Sequence, residues 1–299
     1  VKYSLSYYII KIVLQLKGIK KDFSEDPINY LKIRKEDIHQ PKGRFFKQKG
    51  VSTFKVLKSK ITEVKIKDDS HQIVLFLHGG AFISGPAEHH WEVMKSIIKK
   101  TKAIVWMCDY PKAPEHKIDE ISENIDEVYQ EIANRYPSKK IVLIGDSAGG
   151  TLCMALTQRL IQNRKKVPSK VIVLSPVMDA TMTNNEIEKV ESKDPMLSKV
   201  GVRSAKKLCA GNDLENPKIS PLNGDFRGFP PTLFLVAEND VTYHDQILTV
   251  EKMITQGVDI DIINGEGMPH IWAFLPVMKE GKEALHRIIK SVNDNINSM

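Results

Sequence analysis

The stretch Ile141-Val142-Leu143-Ile144-Gly145-Asp146-Ser147-Ala148-Gly149-Gly150 decides how this chain is read. Four apolar residues of good strand propensity run into Gly-Asp-Ser-Ala-Gly, and Thr151-Leu152-Cys153-Met154-Ala155-Leu156 then starts a helical pattern. The expected local structure is strand, sharp turn, helix. A serine at the apex of such a turn is pushed into the open at a helix N-terminus, where the positive end of the helix favours developing negative charge. Gly145 and Gly149 leave room for strand and helix to close around it. Five residues alone do not make the case, because a Gly/Ser loop closing a buried strand reads the same way.

The flanking sequence supplies the rest in a fixed order. Gln72 to Leu77 is a buried strand by composition, and it ends in His78-Gly79-Gly80-Ala81-Phe82. Paired glycines after a strand let backbone N–H groups approach a ligand, so Gly79 and Gly80, with Ala148 after the serine, are the expected oxyanion donors. Farther on, Pro231 to Ala237 is a strand followed by Glu238-Asn239-Asp240, and Val258 to Ile263 leads to Met268-Pro269-His270. Ser147, Asp240 and His270 therefore all lie just beyond strand ends. Their chain order is that of α/β-hydrolases and differs from the chymotrypsin and subtilisin orders. Asp245 is the rival for the acid; Asp240 is preferred because it lies nearer its strand end.

Together with Asp109-Tyr110, Ala113-Pro114-Glu115-His116, Ser175-Pro176, Asp179 and Asp245, these motifs resemble the hormone-sensitive-lipase-like carboxylesterases, of the HGGG/GDSAG type. The resemblance runs from about Val74 to His270. It departs from the family at Ala81, where a third glycine is usual, and at Pro111-Lys112, where Arg-Leu is usual. The resemblance implies a serine carboxylesterase acting on small to medium acyl esters, with Ser147 as nucleophile, His270 as base and Asp240 as its orienting acid. It also implies N-terminal helices that form part of a cap over the site. The same triad would serve an amide, formamide or peptide hydrolase, and a ligand-binding protein on a hydrolase scaffold is the third possibility.

The rest of the chain fits one α/β domain. Strands expected at Ile73–Leu77, Ala103–Cys108, Ile141–Ile144, Val171–Leu174, Leu233–Val236 and Ile260–Ile263 alternate with helical stretches, which means a mainly parallel sheet with helices on both faces. Alternation at Phe54–Leu57 and Thr62–Lys67 suggests antiparallel edge strands. Residues 1–50 are expected to be an N-terminal helical cap segment and 51–299 the catalytic domain, with a helical cap insertion at about 182–216. In the first segment Leu5, Ile9, Ile12, Val13 and Leu16 share one helical face, widened by Ile10 and Leu14. That run is too short to span a bilayer, and Lys11 interrupts it, so membrane attachment is not the expectation.

Composition narrows the function classes. In 299 residues, 41% are hydrophobic and 27% charged, which argues against disorder and against a membrane protein. The net charge of +7 comes from scattered lysines without a nucleic-acid motif, so no nucleic-acid partner is expected. Cys108, Cys153 and Cys209 lack metal-site spacing and fit buried reduced thiols in a cytoplasmic protein. His89-His90 lack a His-Glu-x-x-His pattern and are expected at a surface or groove; no metal and no cofactor is expected. His78 is expected to orient its loop, and Asp109, Asp146 and Asp179 to be structural carboxylates. Trp272 and Phe274 either line the pocket or pack beneath the last helix. Oligomeric state is not legible.

Overall fold

The computed structural model describes residues 2–67, 69–137, 140–275 and 277–297. Three short helices come first, α1 (Leu5–Leu16), α2 (Ile19–Asp22) and α3 (Tyr30–Ile33), followed by the strands β1 (Val51–Val56), β2 (Ser59–Val64) and β3 (Gln72–Leu77). Then come α4 (Glu88–Lys100), β4 (Ile104–Asp109), α5 (Ile118–Arg135), β5 (Lys140–Asp146), α6 (Ser147–Gln162) and β6 (Lys170–Leu174). The chain ends with α7 (Ile187–Glu191), α8 (Lys199–Ala210), β7 (Thr232–Asn239), α9 (Tyr243–Thr255), β8 (Ile260–Pro269) and α10 (Lys279–Asn297).

The eight strands form one sheet in the order β1-β2-β4-β3-β5-β6-β7-β8. The β1–β2 and β2–β4 pairs are antiparallel and every later pair is parallel. The first hairpin sits about three residues earlier than the alternation suggests. Val56 pairs with Ser59, so the turn is Leu57-Lys58, with Leu57 held at φ 48°. No Asn-Gly or Gly signal marks that turn, which is why the sequence pattern misplaces it.

Every residue of β3 is buried, because the sheet is covered on both faces. Successive side chains of a strand point to opposite faces, so β3 divides between two cores. Ile73, Leu75 and Leu77 belong to one core with Ile121, Ile125 and Val128 of α5, Leu152 and Leu156 of α6, and Met253 of α9. Val74 and Phe76 belong to the other core with Met94 and Ile97 of α4, Ile288 of α10, and Tyr7 and Leu14 of α1. No described helix is long and apolar enough to cross a membrane.

Helix α1 uses a different face from the one its pattern suggests. Tyr7 and Leu14 are its buried residues, whereas Leu5, Ile9, Ile12 and Leu16 are exposed. Polar anchors decide the roll of the helix. The Ser4 amide and hydroxyl donate to the Glu280 carboxylate at 2.7 and 2.8 Å, and the Tyr7 hydroxyl donates to the Gly267 carbonyl at 3.0 Å.

The segment after α1 and the stretch containing α7 and α8 pack on each other. The Ser198 hydroxyl donates to Phe23 O at 2.7 Å and the Ser204 hydroxyl to Asp26 Oδ1 at 2.9 Å. At Gly201 the helix meets the chain so closely that a Cβ would lie 1.8 Å from Phe23 O. Phe23 and Val202 of this joined layer border a cavity that Ser147 and His270, just past the carboxyl ends of β5 and β8, also line.

Candidate active site

Strand β5 passes into α6 at Ser147, whose φ is 48°. A non-glycine residue in this left-handed region costs about 1–2 kcal/mol, so the surrounding contacts must hold it there. The neighbours show how closely the turn is packed. A Cβ on Gly145 would lie 2.5 Å from the Gly149 carbonyl, and one on Gly149 would lie 1.9 Å from Leu77 O. Only hydrogen fits at either place, and the serine is left at the edge of a cavity of about 420 Å³. The first amides of a helix have no partner inside it, so the Ala148 N–H at the start of α6 is free to serve a ligand.

Two other strand ends bring up Asp240 and His270. Asp240 follows β7 and His270 follows β8, and His270 Nδ1 donates to Asp240 Oδ2 at 2.7 Å. Asp240 is itself fixed: its Oδ1 accepts from the amide of Thr242 at 2.9 Å and from its hydroxyl at 2.8 Å, and Gln246 Nε2 donates to Oδ2 at 3.3 Å. With Nδ1 carrying the shared proton, Nε2 is left as the basic nitrogen. Ser147 and His270 line the same cavity. Asp245 is turned elsewhere, accepting from Asn184 Nδ2 at 2.7 Å, and burial pushes its carboxyl up to about 6.

Burial alone would lower the basicity of the enclosed His270 imidazole, but the carboxylates of Asp240, Asp194 and Asp146 outweigh it and raise its pKa. Asp194 carried no signal in the sequence. It is buried, its Oδ1 accepts the amides of Met196 at 2.7 Å and Leu197 at 2.9 Å, and its Oδ2 accepts Val241 N at 3.0 Å. Burial, followed by the neighbouring Asp240, pushes it up to about 7.

The glycine loop after β3 is held from two sides. Asp146 Oδ1 accepts the Gly79 amide at 3.0 Å, and the Tyr110 hydroxyl donates to His78 O at 2.8 Å. The His78 ring stacks on Tyr110 at 4.4 Å and its Nδ1 lies 2.7 Å from Gly79 O, so it orients the loop as expected. The Gly79 N–H is thus engaged with a side chain, which corrects its placement among the expected oxyanion donors. Gly80, at φ 118°, and Ala81, at φ 54°, border the cavity with Ser147.

His90 is buried rather than at a surface, and with the partly buried His89 it lines the cavity. His90 Nδ1 accepts the Ala87 amide at 2.9 Å, so Nε2 bears the proton and faces Asp146 Oδ2 at 3.3 Å. Donor atoms of His89, His90 and Asp146 lie within 4.8 Å of one another. Both nitrogens of His90 and both oxygens of Asp146 already have partners, so these two residues form a hydrogen-bonded support for Gly79, while His89 Nε2 is buried without a partner. Asp109 and Asp179 are likewise structural, the first paired with Lys112 and His39, the second accepting from Thr181 at 2.8 Å. Trp272 donates to Val236 O at 3.1 Å and Phe274 packs on Phe76, so both belong to the core under α10.

Residues 74–274 match the family model described as the alpha/beta hydrolase fold. An esterase of Acinetobacter venetianus is 32% identical over 227 residues, covering 75% of this chain and 75% of that protein. A carboxylesterase/phospholipase, LipF, of Mycobacterium tuberculosis is 27% identical over 242 residues, or 77% of this chain and 64% of that one. Among solved structures, an esterase from the bacterial hormone-sensitive lipase family superposes with a TM-score of 0.81 at 26% identity, over 99% of this chain and 100% of that one. With the strand order, the turn at Ser147 and the glycine loop in place, these likenesses lead to one conclusion: the chain belongs to the α/β-hydrolase family, in its hormone-sensitive-lipase-like carboxylesterase branch.

Proposed function

We propose that the protein is a serine carboxylesterase that hydrolyses small to medium acyl esters through an acyl-enzyme. Ser147 Oγ attacks the ester carbonyl, and His270 Nε2 takes its proton and returns it to the departing alcohol. Water then repeats the sequence on the acyl-enzyme. Asp240 holds the imidazole in the tautomer that leaves Nε2 basic and stabilises the imidazolium. The N–H groups of Gly80, Ala81 and Ala148 receive the oxyanion, and each such donor contributes roughly a hundredfold to a thousandfold in turnover. The observation that carries this reading is the 2.7 Å bond between His270 and Asp240 beside a serine held at φ 48° on the same cavity.

The cavity's 420 Å³ is of the size that holds a small organic ligand. Ile19, Phe23 and Ile33 from the N-terminal segment and Leu197 and Val202 from the insertion border it, which supports the reading of both as one cap that limits substrate length. The related proteins are named as esterases, which favours esters over amides. The three free, buried cysteines accord with a reducing cytoplasmic compartment. Incubation with a fluorophosphonate probe followed by peptide mapping tests the assignment. Modification at Ser147 and hydrolysis of short p-nitrophenyl esters are expected; an unlabelled Ser147 in folded protein would overturn it.

A further inference from the structure

Lys206 is a charged side chain in the cavity that the proposed chemistry does not use. It stands on α8 and borders the same cavity as Ser147 and His270, and its side chain is fully buried. Its Nζ has no hydrogen-bond partner. The ammonium lies 4.1 Å from the centre of the Phe82 ring, in the loop that carries Gly80 and Ala81. The nearby Asp179 carboxylate is already occupied by the amide and hydroxyl of Thr181, and the Cys209 thiol, pushed up to about 12 by burial, is neutral. Lys32, which also borders the cavity, is paired with Asp22.

An ammonium removed from water without an anion is costly, and chains that need only to fill such a place use leucine or methionine. Burial brings Lys206 down to about 7, so near neutral pH it is poised to take up a proton when an anion arrives beside it. An aromatic face is a weaker partner for a cation than a carboxylate, and the four-carbon stem lets the ammonium exchange one for the other. Val202, Leu197, Met196 and Val177 give the cavity an apolar wall; its other lysines, Lys32 and Lys35, are exposed at the N-terminal segment beside Asp22, Glu36 and Asp37, which leaves Lys206 as its one buried lysine.

We propose that Lys206 is a specificity-determining residue that recognises a carboxylate carried by the ester substrate, so that the preferred substrates are anionic esters. This rests on the esterase reading above. The carboxylate could sit on the acyl part, as in a half-ester of a dicarboxylic acid, or on the alcohol part, as in the acetate ester of a hydroxy acid; both present the same group to the ammonium.

The test compares kcat/KM for monoethyl adipate with that for ethyl hexanoate, and for the acetate ester of 4-hydroxybutanoate with that for butyl acetate, in the native protein and in Lys206→Met. In at least one pair the anionic-to-neutral ratio is expected to fall about tenfold or more in the variant, the loss that follows removal of one charge-assisted hydrogen bond. The pair that responds identifies the side of the ester that reaches Lys206. A smaller fall in both pairs overturns the proposal, including a uniform loss on all four substrates. Should the variant not fold, inhibition of the native protein decides: adipate or 4-hydroxybutanoate must inhibit neutral-ester hydrolysis more strongly than the uncharged hexanamide or butanol respectively, and equal inhibition in both pairs overturns it. Hydrolysis of the neutral esters and fluorophosphonate labelling report on the esterase reading separately.

Discussion

The carboxylate of Asp146 receives the amide of Gly79 at 3.0 Å, so the residue directly before Ser147 fixes the loop that faces it. The other carboxylate oxygen meets His90 at 3.3 Å. Although Asp146 is fully buried, its interactions with His90 and His89 and the Gly79 amide hold its pKa below the ordinary carboxylate value. The turn at Ser147 and the glycine loop are therefore one hydrogen-bonded unit.

Replacing Asp146 by alanine leaves the Gly79 N–H and the His90 Nε2–H buried without partners, at about 1–3 kcal/mol each. Asp146→Ala is expected to lose roughly 2–5 kcal/mol of stability. Turnover should fall as Gly80 and Ala81 leave their positions. Urea unfolding and steady-state kinetics on one short ester measure both, and an unchanged kcat would sever the link between the carboxylate and the loop.

Ser147→Ala and His270→Ala should each lower kcat about a millionfold, and Asp240→Asn about ten-thousandfold, as in hydrolases with this constellation. The asparagine keeps an oxygen for Thr242 while disturbing the tautomer of the imidazole. Asp245→Asn, by contrast, changes a group that faces Asn184 and leaves the imidazole's partner intact. If Asp245→Asn loses more activity than Asp240→Asn, the acid has been misassigned.

Activity that needs a neutral imidazole rises with pH through the pKa of His270. Asp194 contributes to raising that pKa, and since its own carboxyl, pushed up to about 7, is only partly ionised over the same range, Asp194→Asn removes a partial negative charge and should move the acidic limb of the kcat/KM profile modestly to lower pH. The profile is to be recorded with a neutral ester, which does not itself titrate. A limb that stays in place, or moves upward, shows that the Asp194 carboxylate does not act on the base.

Two glycines separate close packing from backbone strain. A methyl on Gly149 would collide with Leu77 O at 1.9 Å, and this contact is buried backbone that cannot yield. Gly149→Ala should cost about 3 kcal/mol or more. Gly18 has φ 66° but nothing within 4 Å of a new Cβ, so Gly18→Ala should cost only about 1–2 kcal/mol, the left-handed backbone penalty. Thermal or urea unfolding of the two variants should rank them in that order.

Some of this molecule was legible along the chain. The parallel sheet, the turn at Ser147 and the positions of Asp240 and His270 beyond their strands follow from apolar runs and turn residues, which act on their own neighbourhood. Asp240 meets His270, and His270 and Ser147 border one cavity, because parallel strands end on one edge, which alternation of strand and helix implies.

What the tertiary structure alone decided are the choices among equivalent groups. Asp240 rather than Asp245 meets the imidazole because α9 begins between them and turns the second carboxylate toward Asn184. Gly79 does not offer its amide to the cavity because Asp146, 67 residues later, takes it. Helix α1 buries Tyr7 and Leu14, against the stronger apolar stripe, because Glu280 and Gly267 anchor its roll. Lys206 and Asp194 carry no local pattern at all, since a lone lysine or aspartate in a polar stretch reads as solvated until the fold closes over it. Periodicity reports which residues want to leave water; it does not say which partner, across the chain, will be there to meet them.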